Sequence, residues 1–396
     1  MILNNVLILD NGAHCAKVGY SAKEPKIVPN CIMKAKSQRR RFIGNQVDEC
    51  SDASGLFYIL PFRKGYLLNF EVQKIVWDYI FSRECCRVNF SDTPLIVTEP
   101  YFNFHSIQEV MNEIFFEEYE CKSLLKMNAH YFLNAGDLCN YNYRKHNPQA
   151  VCCLLVDSGY SFTHITPYFK DKKYKPGIRR IDVGGKVLTN HLKEIISYRQ
   201  LHVMEETYVM NQVKEDACYV SQNFIKDMEI ANNTKEKARD YVLPDFTSIR
   251  RGYVRAAGQP DEGGHQILRL NNEQFAVPEA LLRPSDIGIP QMGISEAIIN
   301  SVSSCAEELR PHLYNNILIV GGCARFPGLR ERVQQEVRTM APEEYDVRVT
   351  IPEDPITYAW HGGKVLSQDP EFYTYCVSKE EYEEEGHALC FERFDT

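Results

Sequence analysis

One short pattern occurs twice in the chain and constrains its fold more than any other feature. Residues 6–20 (VLILDNGAHCAKVGY) place an apolar strand before Asp10, a glycine turn and a returning strand. Residues 150–169 (AVCCLLVDSGYSFTHITPYF) repeat that order around Asp157. A single Asp-x-Gly turn is usually no more than a hairpin. Two of them, far apart and at the ends of matching strands, predict two similar α/β domains.

Two further glycine turns lead into helices. In residues 182–196 (DVGGKVLTNHLKEII) the glycines precede apolar side chains at helical spacing. In residues 316–340 a strand at 317–320 meets Gly321 and Gly322, and a helix is predicted from near Pro327 to about Met340. Four glycine turns at strand ends and helix starts can direct backbone N–H groups into one cleft, which predicts a phosphate-binding site.

Composition bounds the class of protein. The chain has 396 residues, 44% of them apolar and 25% charged, which is typical of a globular protein with more than one lobe. The 14 cysteines include no CxxC pair and favour a reducing compartment. We expect neither a signal peptide nor a membrane span.

Charge argues against a surface that binds nucleic acid throughout, because the net charge is −8. Residues 34–41 (KAKSQRRR) form a local exception. A solvated loop is the ordinary interpretation of such a run, and a local DNA or nucleosome contact is the alternative.

The chemistry of the two Asp-x-Gly turns fits a nucleotide. Lys17 can supply a cation for phosphates, and Asp10 and Asp157 can hold Mg²⁺ through water, since this ion prefers one or two carboxylates together with phosphate.

The set of turns resembles the superfamily of actins, sugar kinases and heat-shock chaperones, in which two related domains clamp a nucleotide. The resemblance to the actin family is close and covers nearly the whole chain. It rests on LDNGAHCAKVGYS, VDSGYSFTHITP, NQVKEDACYV, IVGGCARFPGL, ITYAWHGGKVL and NEQFAVPEALLRPSDIG, which occur in the family's order. Finer stretches such as VPNC, VTEPYFNF and DYVLPDF point to one group of its actin-related proteins.

The resemblance implies an actin-like fold of two duplicated lobes around a nucleotide cleft, with four subdomains. Subdomain 1 would comprise 1–31, 69–148 and 358–396, and subdomain 2 would comprise 32–68. Subdomain 3 would comprise 149–183 and 291–357, and subdomain 4 would comprise 184–290.

The resemblance also implies the site residues. The ligand would be ATP or ADP, with Mg²⁺ possible beside Asp10 and Asp157. Its phosphates would contact two turns, the first formed by Gly12, Ala13, His14, Cys15 and Lys17 and the second by Gly159, Tyr160, Ser161 and Phe162. The residues around its ribose and adenine would be Gly185, Lys214, Glu215, Gly322, Cys323 and Phe326. Without the resemblance, Lys214 and Glu215 would be assigned to a solvated helix face and Phe326 to the core.

Departures from the family pattern predict a weak hydrolase. Actins have serine and glycine where Ala13 and His14 stand, and aspartate and glycine where Tyr160 and Ser161 stand. The segment 124–136 (LLKMNAHYFLNAG) lacks the glutamine that positions water in actins, and His130 lies near that place. Because water positioning is much of what a hydrolase contributes, we expect no catalytic residue and a non-enzymatic role.

For partners, the resemblance implies a nuclear chromatin-remodelling assembly, with some protein in the cytoplasm. The expected contacts are an insertion of the remodeller's motor ATPase, a small zinc-containing subunit and other subunits of the complex. An active ATPase or small-molecule kinase and a cytoskeletal polymer remain alternatives, but the short, basic 34–41 loop disfavours the polymer. The polar stretches 230–240 and 255–265 are candidate partner loops.

Overall fold

The structure is a computed structural model that describes residues 5–36, 38–128, 138–170, 172–256 and 264–394. The strands are, in chain order, β1 (Leu7–Asn11), β2 (Cys15–Tyr20), β3 (Lys26–Pro29), β4 (Ile32–Lys34), β5 (Arg41–Ile43), β6 (Phe57–Ile59), β7 (Phe62–Arg63), β8 (Tyr66–Leu67), β9 (Pro94–Glu99), β10 (Ser123–Asn128), β11 (Cys152–Ser158), β12 (Thr163–Phe169), β13 (Lys172–Lys173), β14 (Arg179–Ile181), β15 (Arg239–Val242), β16 (Tyr253–Val254), β17 (Ile267–Leu270), β18 (Ile317–Val320), β19 (Val349–Thr350) and β20 (Val377–Ser378).

The α-helices are α1 (Phe70–Phe81), α2 (His105–Glu113), α3 (Leu138–His146), α4 (Gly185–Arg199), α5 (Thr207–Ala217), α6 (Phe224–Asn233), α7 (Glu273–Glu279), α8 (Ile294–Ser303), α9 (Arg310–Tyr314), α10 (Leu329–Met340), α11 (Tyr358–Leu366), α12 (Phe372–Tyr375), α13 (Lys379–Glu385) and α14 (His387–Phe394). Among the described residues, no helix has both the length and the apolar character needed to cross a bilayer.

Two mixed sheets with the same topology confirm the repeat. In the first, β1 pairs antiparallel with β2 and parallel with β9, and β3 and β10 extend it on either side. In the second, β11 pairs antiparallel with β12 and parallel with β18, and β14 and β19 take the corresponding places. Asp10 in β1 and Asp157 in β11 therefore occupy equivalent positions, as the α/β actin-like fold requires.

Each sheet lies in its own apolar core, and the two cores define the two lobes. The first joins the start of the chain to its end, because Trp360, in α11, is buried against β1 and its Nε1 donates to the carbonyl of Ile8 at 3.1 Å. In the second, helix α4 buries Leu188, Leu192 and Ile196, which recur every four residues on one face.

The end of the chain corrects one expectation. The acidic sequence from Ser378 onward predicts a surface helix followed by a tail. Helix α13 is such a surface helix, but the expected tail forms a second helix, α14, which packs on the first lobe. Ser378 and Glu381 form a capping box that starts α13, and β20 pairs with β10. Phe394 in α14 is 1% exposed and belongs to the first core.

Two predicted loops are shorter than expected. Strand β4 takes in Lys34 and β5 begins at Arg41, so the basic loop between them is 35–40. Helix α6 and strand β15 fill most of 230–240 and leave 234–238 as the connection. Of the candidate loop 255–265, residues 257–263 lie outside the described residues.

The outer ends of the lobes touch across the cleft. Strands β4, β5 and β6 carry a small apolar cluster, and Tyr208 and Phe246 of the second lobe pack against it. Beside it, the backbone N–H of Gly55 donates to Glu206 Oε2 at 2.9 Å, and Lys36 forms an ion pair with Glu205. The lobes are therefore joined by direct contacts between protein side chains as well as by the chain itself.

Candidate functional site

The first Asp-x-Gly turn is fixed by a short polar network at the end of β1. Asp10 Oδ1 accepts a hydrogen bond from Thr98 Oγ1 at 2.8 Å, and Thr98 Oγ1 in turn accepts from the backbone N–H of Asn11 at 2.9 Å. Lys17 Nζ lies 2.9 Å from Asp10 Oδ2. Burial opposes the charge on Lys17, but Asp10 outweighs it and raises the pKa of the lysine. The ammonium at this turn is therefore charged at neutral pH.

The second turn is built against the start of α4. The backbone N–H of Gly159 donates to the carbonyl of Phe162 at 3.0 Å and closes the turn. The N–H groups of Gly185 and Lys186 donate to the carbonyls of Gly159 and Tyr160 at 3.0 and 2.9 Å. The first two N–H groups of α4 are thus taken up by carbonyl oxygens of this turn, which fixes the turn on the start of the helix.

Asp157 stands at the end of β11 in surroundings that oppose its charge. Burial raises the pKa of its carboxyl group, Lys17 lowers it and Asp10 raises it, and the net value is about 6. Gly321 adopts φ +91°, and a Cβ atom there would lie 2.8 Å from Asp157 Oδ1 and 2.4 Å from the carbonyl oxygen of Ser158. Any other residue at position 321 would therefore place its Cβ atom against the Asp157 carboxylate.

The two turns meet through aromatic rings. The rings of His14 and Tyr160 have centroids 4.7 Å apart, with their planes inclined by 35°. His14 has an exposed surface, although protein atoms lie around most of its ring. Desolvation lowers its pKa to about 4, and the cations of Lys214 and Lys17 act in the same direction. At neutral pH the ring is uncharged, so this contact joins the lobes without offering a cation to phosphate.

The predicted ribose and adenine residues form two groups. Lys214 is buried and donates to the carbonyl of Gly185 at 3.2 Å, to Thr189 Oγ1 at 2.9 Å and to Asn211 Oδ1 at 2.8 Å. Desolvation lowers its pKa, although the neighbouring thiols of Cys323 and Cys218 and the carboxylate of Glu215 oppose the shift. Glu215 is exposed, and Asn211 Nδ2 donates to it at 2.7 Å.

The glycine turn at Gly321 and Gly322 supplies the other group of predicted ribose and adenine residues. Cys323 is buried, and its Sγ lies 3.4 Å from the carbonyl oxygen of Gly159, which ties this turn to the second Asp-x-Gly turn. A Cβ atom on Gly322 would point into open space, so a ligand can approach the backbone there. Phe326 is 8% exposed and packs in the second core. Its role toward adenine stays a prediction.

Sequence reasoning missed a contact between the lobes behind the second turn, formed by the β7–β8 hairpin with Phe162 and Arg180 and called the clasp below. The hairpin of β7 and β8 crosses from the first lobe, and a Cβ atom on its Gly65 would lie 1.8 Å from the Phe162 ring. Arg180 Nη1 donates to Tyr66 Oη at 2.8 Å and Nη2 donates to the Lys64 carbonyl at 3.2 Å. The guanidinium also lies 4.7 Å from the centroid of Phe162. The glycine between two short apolar strands was the available signal, but the sequence does not say what it faces.

The residues fit a magnesium nucleotide in part. Asp157 is a half-buried carboxylate, and a bound cation would lower its raised pKa again, while Asp10 is already paired with Lys17. Beside the turns lies a cavity of about 330 Å³ lined by Ala13, Tyr160 and Ser161 among others. Bound Mg²⁺ would neutralise phosphate charge near Asp157. His130 and the rest of 129–136, where actins carry the water-positioning glutamine, lie outside the described residues.

Comparison with known proteins gives one consistent result. The family model described as Actin matches residues 3–395. A protein named actin-related protein 6 from Drosophila melanogaster is 48% identical over 97% of this chain and 98% of its own length. The actin-related protein 6 of Arabidopsis thaliana is 34% identical over 99% of this chain and 100% of its own length. The actin-like protein ARP6 of Yarrowia lipolytica is 36% identical over 98% of this chain and 97% of its own length. The finer sequence stretches are thereby explained, and the chain belongs to the actin family.

Proposed function

We propose that this chain is a non-catalytic, nucleotide-holding subunit of a nuclear chromatin-remodelling assembly that exchanges a core histone for its variant form. The non-catalytic part is supported above all by the contact between His14 and Tyr160. Uncharged rings occupy the place between the two phosphate turns where a hydrolase would present polar groups to the reacting phosphate and its water.

The side chains around that contact lack the groups that hydrolysis needs. Ala13 has no hydroxyl group to donate to a terminal phosphate, and Tyr160 stands where actins have a carboxylate that organises water on the metal. Loss of one such donor costs about 3 kcal/mol of transition-state stabilisation. A bound nucleotide would then act as a structural ligand, which stabilises the folded chain by mass action.

The proposed partners follow from the resemblance to the family's actin-related proteins. They are the insertion of the remodeller's motor ATPase, a small zinc-containing subunit and further subunits of the complex, in the nucleus with some protein in the cytoplasm. A chain whose lobes are held together by direct contacts is a suitable platform for them.

Arg39 and Arg41 are exposed in and beside the 35–40 loop, and Arg40 pairs with Glu49 at 2.7 Å. A local DNA contact there would show as a salt-dependent loss of nucleosome affinity on charge reversal.

A nucleotide census separates this proposal from an active ATPase or small-molecule kinase. The protein is purified with its co-purifying partners and denatured at intervals over a day, and the released ATP and ADP are quantified. We expect near-stoichiometric nucleotide whose ATP fraction stays constant, because nothing at the described turns positions water. Conversion of the ATP fraction to ADP would establish the enzyme, and absence of nucleotide would end the nucleotide part of the proposal.

An exchange assay tests the assembly. Remodelling complexes purified from cells depleted of this chain should lose variant-histone deposition, and adding back the wild-type chain should restore it. Restoration by an Asp157→Ala chain would agree with a structural role, since that change removes a metal ligand and no catalytic group. Full exchange activity without the chain would contradict the proposal. Sustained growth of light scattering with Mg-ATP and salt would instead support the polymer alternative.

A further inference from the structure

Two adjacent cysteines lie in the turn that follows α1. Cys85 Sγ and Cys86 Sγ are 3.7 Å apart. The turn is held by its backbone, since the N–H of Cys86 donates to the carbonyl of Ile80 at 3.0 Å and the N–H of Arg87 donates to that of Ser82 at 2.8 Å. The two thiols are therefore kept in contact by a closed turn.

These two thiols differ from the rest of the chain's cysteines. All 14 lie in the described residues, and ten of them are buried. Cys15 is half-buried, but burial raises its pKa. The Cys50 thiol is also half-buried and faces the carbonyl oxygen of Asp52 at 3.0 Å. Only at 85 and 86 do two partly accessible thiols touch.

The contact shifts the pKa values of the two thiols in opposite directions. The contact with Cys86 and the Lys26 ammonium together lower the pKa of Cys85 to about 7, against the effect of burial. Lys26 Nζ contacts the Cys85 carbonyl oxygen directly. The contact with Cys85 raises the pKa of Cys86. Of the two sulfurs, Cys85 therefore has the greater thiolate character, and a partly accessible thiolate beside a second thiol is typical of redox-sensitive pairs.

We propose that Cys85 and Cys86 form a redox-modification site for small-molecule disulfides of the glutathione class. The Cys85 thiolate attacks one sulfur of the disulfide, forms a mixed disulfide and releases one thiolate. Cys86 then loses its proton to solvent and attacks the Cys85 sulfur, and a second thiolate leaves. Two protein thiols are oxidised to one disulfide, and the small disulfide is reduced to two thiols that take up the protons.

The resulting bond is labile. Adjacent Cα atoms are about 3.8 Å apart, which is less than the roughly 4.4 Å minimum of ordinary disulfides. A strained disulfide has a more oxidising potential and is readily reduced. The site therefore reports the ratio of oxidised to reduced small thiols and adds no permanent cross-link.

The test is intact-mass and peptide analysis of the purified full chain after exposure to graded ratios of oxidised to reduced glutathione, with acid quenching. Wild type should form the 85–86 disulfide. Cys86→Ser should accumulate glutathione on Cys85, and Cys85→Ser should form no 85–86 disulfide and should react more slowly at Cys86, because burial also raises the pKa of that thiol. Reaction at Cys85 should be a few-fold faster than that of an ordinary exposed cysteine at pH 7, because its larger thiolate fraction is partly offset by lower nucleophilicity.

Cys50→Ser is the matched control, since it removes the other half-buried thiol outside the nucleotide turns and should leave the pattern unchanged. Near-UV circular dichroism of each variant verifies that it is folded. Equal modification of Cys50 and Cys85, or failure of Cys86→Ser to trap the adduct, would overturn the proposal.

Discussion

Replacing Asp157 with asparagine is expected to stabilise the ligand-free protein at pH 7 by up to about 3 kcal/mol. The folded state raises the pKa of this carboxyl group from 3.8 to about 6, and each pH unit by which a pKa changes corresponds to about 1.4 kcal/mol. Because the folded state holds the proton of Asp157 more tightly than the unfolded state, the contribution of this group to the wild-type free energy of unfolding falls as pH rises from about 4 to 6. Above pH 6 that contribution is constant. The asparagine of the variant does not titrate in this range, so the gain is complete above pH 6 and absent below about pH 4.

Urea unfolding of both proteins at several pH values, without nucleotide, measures this gain. Added Mg-ATP should reverse the order of stability, because asparagine is a poorer ligand for Mg²⁺ than a carboxylate. Asp10→Asn is the control and should destabilise by about 3–5 kcal/mol, since it removes the partner of the largely buried Lys17. A destabilised Asp157→Asn at pH 7, or a gain that persists at pH 4, would contradict the electrostatic argument.

Gly65→Ala is expected to cost about 2–4 kcal/mol and to loosen the clasp between the lobes. Gly65 has φ +79°, which an alanine adopts at a cost of about 1 kcal/mol. Its new Cβ atom would also lie 1.8 Å from the Phe162 ring, and overpacking of this kind costs about 1–3 kcal/mol. The hairpin can relieve the clash only by moving away from Phe162, which takes the acceptors of Arg180 with it.

Gly288→Ala is a matched control, because Gly288 has the same φ of +79° with nothing within 4 Å of a Cβ atom. The difference in unfolding free energy between the two variants isolates the contact with Phe162. Adding Phe162→Ala to Gly65→Ala should recover much of that difference, since the smaller side chain makes room. Equal costs at the two glycines would mean that the hairpin does not press on the second turn.

The two Asp-x-Gly turns could be predicted because strand, turn and returning strand are consecutive in the sequence. The contact between His14 and Tyr160 could not, since it depends on how two separately folded lobes approach each other. Lys214 on its own suggested a solvated face, yet it is buried and satisfied by acceptors on two helices. Local pattern reports which elements form, whereas contacts between the lobes depend on tertiary packing.

The two misjudged polar segments have a similar cause. Strand β15 lies in a stretch of polar residues but is held by its pairing with β17, where Asp240 is opposite Arg269 and ion-paired with it. The acidic sequence around Gly386 suggested a surface helix and a tail, while Leu389, Cys390 and Phe394 bury one side of α14. In both places the average polarity of the sequence concealed a few apolar side chains that the fold buries.

The packing of α14 and β20 on the first lobe sets an order of events during synthesis. The second lobe draws its core from the middle of the chain and is complete once β19 has left the ribosome. The first lobe waits for Trp360, for β20 at the sheet edge and for Phe394 to close its core. Its early strands must therefore remain unfinished, with apolar surface available to chaperones, until these last elements have left the ribosome. A chain released after residue 357 would contain every strand of the second sheet but would lack the Trp360, β20 and Phe394 parts of the first core.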